Sequence, residues 1–124
     1  MAHSQDAFQV VILQERKVLY RGCFGDDPRS LTQAMSSNYE AGRSPHPADL
    51  RATVLHMAVS GFEDRARLAT LARRRPQRIG THIVTVELQP GLGVCVADTG
   101  GPGHWSIWGV PAHLVALVTD VAPA

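Results

Sequence analysis

No stretch of the sequence approaches the roughly 20 consecutive apolar residues that a membrane-spanning helix needs, so a transmembrane protein is not expected. Cysteine is scarce. Cys23 and Cys95 lie far apart and form no C-x-x-C pair, which removes the common structural zinc patterns. Two free, buried thiols are the expectation and a disulfide is the alternative. Lysine is limited to Lys17, and 12 basic residues face 11 acidic ones for a formal net charge of +1. Such a balance does not indicate nucleic acid or an anionic membrane surface as a partner. The segment Met1 to Asp6 has neither a basic n-region nor an apolar core, so no secretory leader is expected and the cytoplasm is the expected location. Also missing are a G-x-x-x-x-G-K phosphate loop, a G-x-G-x-x-G opening a helix, H-E-x-x-H and G-x-S-x-G. The six histidines (3, 46, 56, 82, 104 and 113) show no metal-ligand spacing, and no metal is expected.

What is present describes an ordinary globular chain. At 124 residues, 44% hydrophobic and 19% charged, residues 1–124 fit one domain that can bury a core without disulfides or metals. Phe8 to Leu13 is rich in β-branched residues and reads as a strand, forming a hairpin with a second strand at Val18 to Arg21. A short helix is expected after Pro28, from Arg29 to Met35, and another from Asp49 to Met57, where Leu50, Val54 and Met57 share a face. Ala58 to Phe62 reads as a short strand or a bend. Glu63 to Arg74 is the clearest helix: acids at its start, arginines at its end, an Ala- and Leu-rich face, and Pro76 to stop it. Thr81 to Leu88, Gly93 to Ala97, His104 to Trp108 and Val118 to Val121 read as strands, with a short helix from Pro111 to about Leu117. The fold class expected is α+β, with mostly antiparallel strands and two to four short helices.

Three features carry candidate chemistry. Arg73, Arg74, Arg75 and Arg78 either contact phosphate or form a solvated helix C-terminus. Ser60-Gly61, ahead of a helix, either places a hydroxyl and backbone donors at an anion site or caps the helix. The segment Gly100 to Gly109 surrounds His104, Trp105 and Trp108 with four glycines and a proline. Its glycines allow close backbone approach to a ligand, its Trp rings can wall a planar group, and His104 can donate, accept or transfer a proton. The structural alternative is a tight turn feeding a strand whose Trp residues pack in the core.

The order of pieces also carries a resemblance. Val18-Leu-Tyr-Arg-Gly22, Ser37 to Arg43, Ala58-Val-Ser-Gly-Phe62 before an Ala-rich helix, Ile79 to Leu88, and Pro102 to Gly109 together are similar to a group of short bacterial proteins. Their order resembles a compact ADP-ribosyltransferase-like fold, in which an early strand carries Arg or His, a middle strand carries Ser or Tyr before a helix, and a late strand often carries Glu. The resemblance implies an NAD-dependent ADP-ribosyltransferase or NAD-degrading domain, acting as the toxin of a toxin–antitoxin pair, with NAD as substrate, no metal and an antitoxin as partner. It assigns catalytic roles to Arg21, Ser60 and His104. Arg21 would contact the NAD phosphates or ribose, and Ser60 the nicotinamide-side ribose. Tyr20, Gly22, Tyr39 and Arg43 are expected along the cofactor, with Tyr39 stacking on nicotinamide. One position departs from the pattern: no Glu lies within 103–109, and His104 stands there instead. Two other classes fit the residues. One is a metal-independent ribonuclease toxin using His104 or His82 as acid or base. The other is a non-catalytic regulatory module whose Trp-rich loop and Arg43 form a partner surface.

Overall fold

A computed structural model describes residues 9–42 and 54–124. Arg43 and most of the expected 49–57 helix lie outside the described residues; residues 54–56 are helical. Among the described residues, seven strands form one sheet in which every pairing is antiparallel. In chain order they are β1 (Val11–Ile12), β2 (Lys17–Cys23), β3 (Val59–Phe62), β4 (His82–Leu88), β5 (Cys95–Asp98), β6 (His104–Trp108) and β7 (Val118–Pro123). Across the sheet the order is β1-β5-β6-β3-β2-β4-β7. The helices that lie wholly within the described residues are α1 (Pro28–Ala34), α2 (Arg65–Arg74), α3 (Pro76–Ile79) and α4 (Pro111–Val115). No helix among them is long and apolar enough to cross a membrane.

Strand alternation decides what each face buries. Leu19, Val84, Val86, Leu88, Val59, Val96 and Ile107 form one face, covered by Leu31, Ala34 and Met35 at α1 and by Leu114 of α4. Tyr20, Phe62 and Ile83 lie on the other face, under Leu68, Ala69 and Ala72 of α2 and Ile79 of α3. Leu19, Ile83, Val84 and Leu88 are fully buried, each contributing about 1.5–3 kcal/mol of apolar burial.

The first strand does not form a hairpin with the second. β1 pairs instead with β5, through Val11↔Val96 and Ile12↔Cys95, and Leu13 N donates to Val94 O at 3.2 Å. The connection Gln14-Glu-Arg16 has none of the Gly or Asn residues that close a two-residue hairpin. The chain instead crosses from the sheet edge to its middle while Leu13 anchors in the core.

Helix α2 begins at Arg65 rather than Glu63, because Asp64 is its cap and accepts from Arg67 N at 3.0 Å. Its buried positions are Leu68, Ala69 and Ala72, while Leu71 is exposed. Pro76 does end it, and also opens α3 from the first helical position, which suits a residue without an N–H. Both cysteines are free; Cys23 is buried and Cys95 half-buried.

Candidate functional site

The sheet is not evenly knitted. β2 pairs with β4 over seven residues, and β3 with β6 over four. Between β2 and β3 there is a single pair, Tyr20↔Phe62. Beyond it the strands separate, and a cavity of about 670 Å³ occupies the wedge. Arg21, Gly22 and Cys23 line it from β2, Ser60 from β3, Gln33 and Ala34 from α1, Ser37 and Asn38 from the turn after α1, and Gln77, Arg78 and Ile79 from α3. That volume lies within the 300–1,000 Å³ typical of small-molecule sites.

Arg21 reaches across the wedge. Its Nε donates to the Ala34 carbonyl at 2.5 Å and its Nη1 to the Ser60 carbonyl at 3.1 Å. The first contact satisfies a carbonyl in the last turn of α1, where intrahelical partners run out. Among the described residues no carboxylate pairs with Arg21, and none lines the cavity. Desolvation pulls the guanidinium pKa below its ordinary value. A desolvated cation whose fork is only partly used, in a cavity without acidic groups, is suited to receive an anion.

Close backbone crossings shape the floor. A β-carbon on Gly22 would overlap the Ile79 carbonyl, and one on Gly80 would overlap that of Cys23. Gly80 also has a φ of 122°, which disfavours any L side chain. These two glycines let the α3–β4 connection lie directly against β2.

Arg21 and Ser60 thus line one cavity. Ser60 sits inside β3 rather than at a helix start, and the helix-capping role belongs to Asp64. The Ser60 hydroxyl faces the same side of the sheet as Phe62, Ser106 and His104, whereas Arg21 faces the other side with Leu19 and Val84 and meets Ser60 through its backbone carbonyl. His104 lies in an adjoining hollow of about 180 Å³ with Asp64, Arg67 and residues 100–103; Phe62, Leu68 and Leu71 line both spaces. Gly22 lines the wedge, whereas Tyr20 packs against the α2 cluster. Tyr39 stands on a different hollow with Met57, Leu92, Trp108 and Val110 and does not line the wedge. Of the four arginines around the end of α2, Arg78 alone lines the wedge.

The Trp residues are tied into the fold. Trp105 packs against the main core, donates from Nε1 to Glu63 at 3.2 Å and carries Lys17 Nζ 3.9 Å above its ring. Trp108 donates from Nε1 to Val54 O at 2.9 Å. Sequence reading missed Gln33 and Phe24, which line the wedge. No spacing signal marks them; Gln33 comes to the cavity on α1 and Phe24 as the residue after β2.

Comparisons add no relatives. No protein-family model, no curated protein and no solved structure matches the chain. Among the described residues, no group of three or more His, Cys, Asp or Glu is placed to hold a metal ion.

Proposed function

We propose that the wedge between β2 and β3 binds NAD and that the protein is an ADP-ribosyltransferase-like or NAD-degrading enzyme. The observation that carries the reading is Arg21, a desolvated cation facing a cavity that no carboxylate lines among the described residues. Arg78 brings a second positive charge to the same space, which suits the pyrophosphate of a dinucleotide. Element order supports the reading as well: Arg21 on an early strand, Ser60 on a middle strand followed by α2, and His104 on a late strand.

In this reading Arg21 and Arg78 hold the phosphates and the Ser60 hydroxyl contacts the nicotinamide-side ribose. The bond between ribose C1′ and the nicotinamide nitrogen breaks, and its electron pair leaves with nicotinamide, which becomes neutral. Water or an acceptor nucleophile forms the new bond to C1′ and releases a proton. His104, in place of the expected carboxylate, can accept a hydrogen bond but supplies no negative charge to the developing cation.

The test is calorimetric titration with NAD alongside chromatographic detection of nicotinamide, with and without bacterial extract as a source of acceptors. Saturable binding that weakens at least tenfold in Arg21→Lys, which keeps the charge and loses the fork, supports the proposal. Absence of binding at millimolar NAD, with no nicotinamide release under either condition, overturns it. A toxin role adds a cellular outcome: expression arrests bacterial growth, and Arg21→Lys relieves the arrest.

A further inference from the structure

His104 is held by an arrangement that its β6 position alone does not require. Its Nδ1 lies 2.6 Å from the Thr99 carbonyl oxygen, and a carbonyl can only accept, so Nδ1 carries the proton. The Thr99 hydroxyl lies 3.4 Å from the same nitrogen and is itself 2.7 Å from the buried Ser106 hydroxyl. Gly100 makes room for the ring: a β-carbon there would stand 2.6 Å from Nδ1. On the other side, the Phe62 ring meets the imidazole edge-on, with centroids 4.9 Å apart and planes at 73°. The loop that supplies Thr99 and Gly100 is fixed at both ends. Thr99 N donates to His104 O at 3.2 Å, His104 N to Gly101 O at 3.2 Å, and Glu63 N to Gly103 O at 2.8 Å.

We infer that Thr99, Gly100 and Ser106 are positioning residues that lock His104 as the Nδ1–H tautomer, so that Nε2 is an acceptor for a ligand hydroxyl in the hollow beside the wedge. When one imidazole nitrogen is committed to a carbonyl, the other is left unprotonated in the neutral ring. The hollow bordered by Phe62, Leu68, Leu71 and Gly100 to Gly103 contains His104 and shares three walls with the Arg21 cavity. Arg21 lies on the α1 face of the sheet and His104 on the α2 face, so a ligand whose phosphates sit at Arg21 brings a sugar hydroxyl toward Nε2 by passing through the gap between β2 and β3 beside Phe62. This contact rests on the NAD reading; the tautomer does not.

The experiment is long-range ¹H–¹⁵N NMR of the imidazoles in the full chain at about pH 8, where an ordinary histidine is neutral, with His104→Gln for assignment. A His104 pattern with Nδ1 protonated and Nε2 bare is expected in the free protein. Gly100→Ala, with folding verified by circular dichroism, should lose that pattern because the new methyl displaces the ring. An Nε2–H or averaged pattern in the parent chain, or an unchanged pattern in a folded Gly100→Ala, overturns the positioning role. Addition of ADP-ribose should shift the His104 Nε2 resonance, and nicotinamide alone should leave it in place. Saturation with ADP-ribose without an Nε2 shift overturns the contact while leaving NAD binding intact. Failure of ADP-ribose to bind at all removes the contact together with the NAD reading, and the tautomer result still stands on the free protein.

Discussion

The guanidinium of Arg21 joins two elements that backbone pairing leaves apart: its Nη1 reaches the Ser60 carbonyl on β3 at 3.1 Å, while Nε holds the Ala34 carbonyl at the end of α1. The same residue is thus both a brace for the open wedge and the group that faces its contents. Arg21→Met should separate these roles from charge alone. It leaves two carbonyls without their charged donor and should lower stability by about 1.5–3 kcal/mol, the usual scale for hydrogen bonds to charged groups. Urea unfolding measures that loss. Arg21→Lys should lose less stability than Arg21→Met yet still weaken NAD binding, since a point charge does not replace a planar fork.

Gly22 and Gly80 are predicted to be the least replaceable glycines among those described. Each would place a β-carbon against backbone of the crossing segment, where no side-chain rotation relieves the overlap. Gly22→Ala and Gly80→Ala should each cost about 3 kcal/mol or prevent folding. Gly91, with a φ of 85° and open space around it, is the control. Gly91→Ala bears only the backbone strain of about 1–2 kcal/mol, so comparison of unfolding midpoints separates the two causes.

Local patterns made the elements legible, and long-range pairing hid the site. The β-branched alternation of 81–88, the polar and apolar sides of 104–108, and the charged ends around α2 all appear in the sequence. Trp105 and Ile107 share one face and His104, Ser106 and Trp108 the other, as alternation requires. Adjacency in sequence misled at β1, whose partner is β5 some 80 residues on. Nor does any local signal say that β2 and β3 meet at one pair only, which is what opens the wedge. Arg21 and Ser60 were legible as candidates, but their shared cavity depends on that separation. Tyr39 illustrates the converse: an aromatic near the right segment in sequence stands on another hollow.

Burial pushes the Cys23 thiol pKa up from its ordinary 9.0. The folded protein therefore keeps Cys23 protonated at a pH where the unfolded chain ionises it. The associated stability is fully present below about pH 9 and falls as pH rises through the raised folded value. Denaturation between pH 8 and pH 10.5 should show a decline that is smaller in Cys23→Ala, after allowing for that variant's lower starting stability. A slope unchanged by the substitution would locate the alkaline loss elsewhere.

At the acid end, Asp27 behaves in the opposite sense. Its carboxylate accepts from the Ser30 hydroxyl and from Ser30 N, which holds its pKa below the ordinary 3.8. The stabilisation is present above 3.8 and is lost as pH falls through the depressed folded value. Asp27→Ala should flatten the decline in stability between about pH 5 and pH 2. It should also fray α1, because Asp27 is that helix's N-cap. Asp27→Asn, which keeps a capping oxygen without a titrating proton, should flatten the acid slope with less loss at neutral pH.

Phe62 separates the Arg21 cavity from the His104 hollow, lining both and meeting the His104 ring edge-on. It is also part of the cluster under α2, so its truncation has two effects that differ in size and kind. Phe62→Ala should cost about 2–3 kcal/mol, somewhat below the range for fully buried aromatics because Phe62 is half-buried. Phe62→Leu keeps apolar volume and should cost under about 1.5 kcal/mol, while removing the ring edge that holds the imidazole. If His104 acts in the bond-breaking step from its held position, Phe62→Leu should lower kcat for nicotinamide release several-fold with little change in KM, since Arg21 and Arg78 are untouched. A rise in KM at constant kcat would place the role of Phe62 in ligand binding within the wedge rather than in the orientation of His104.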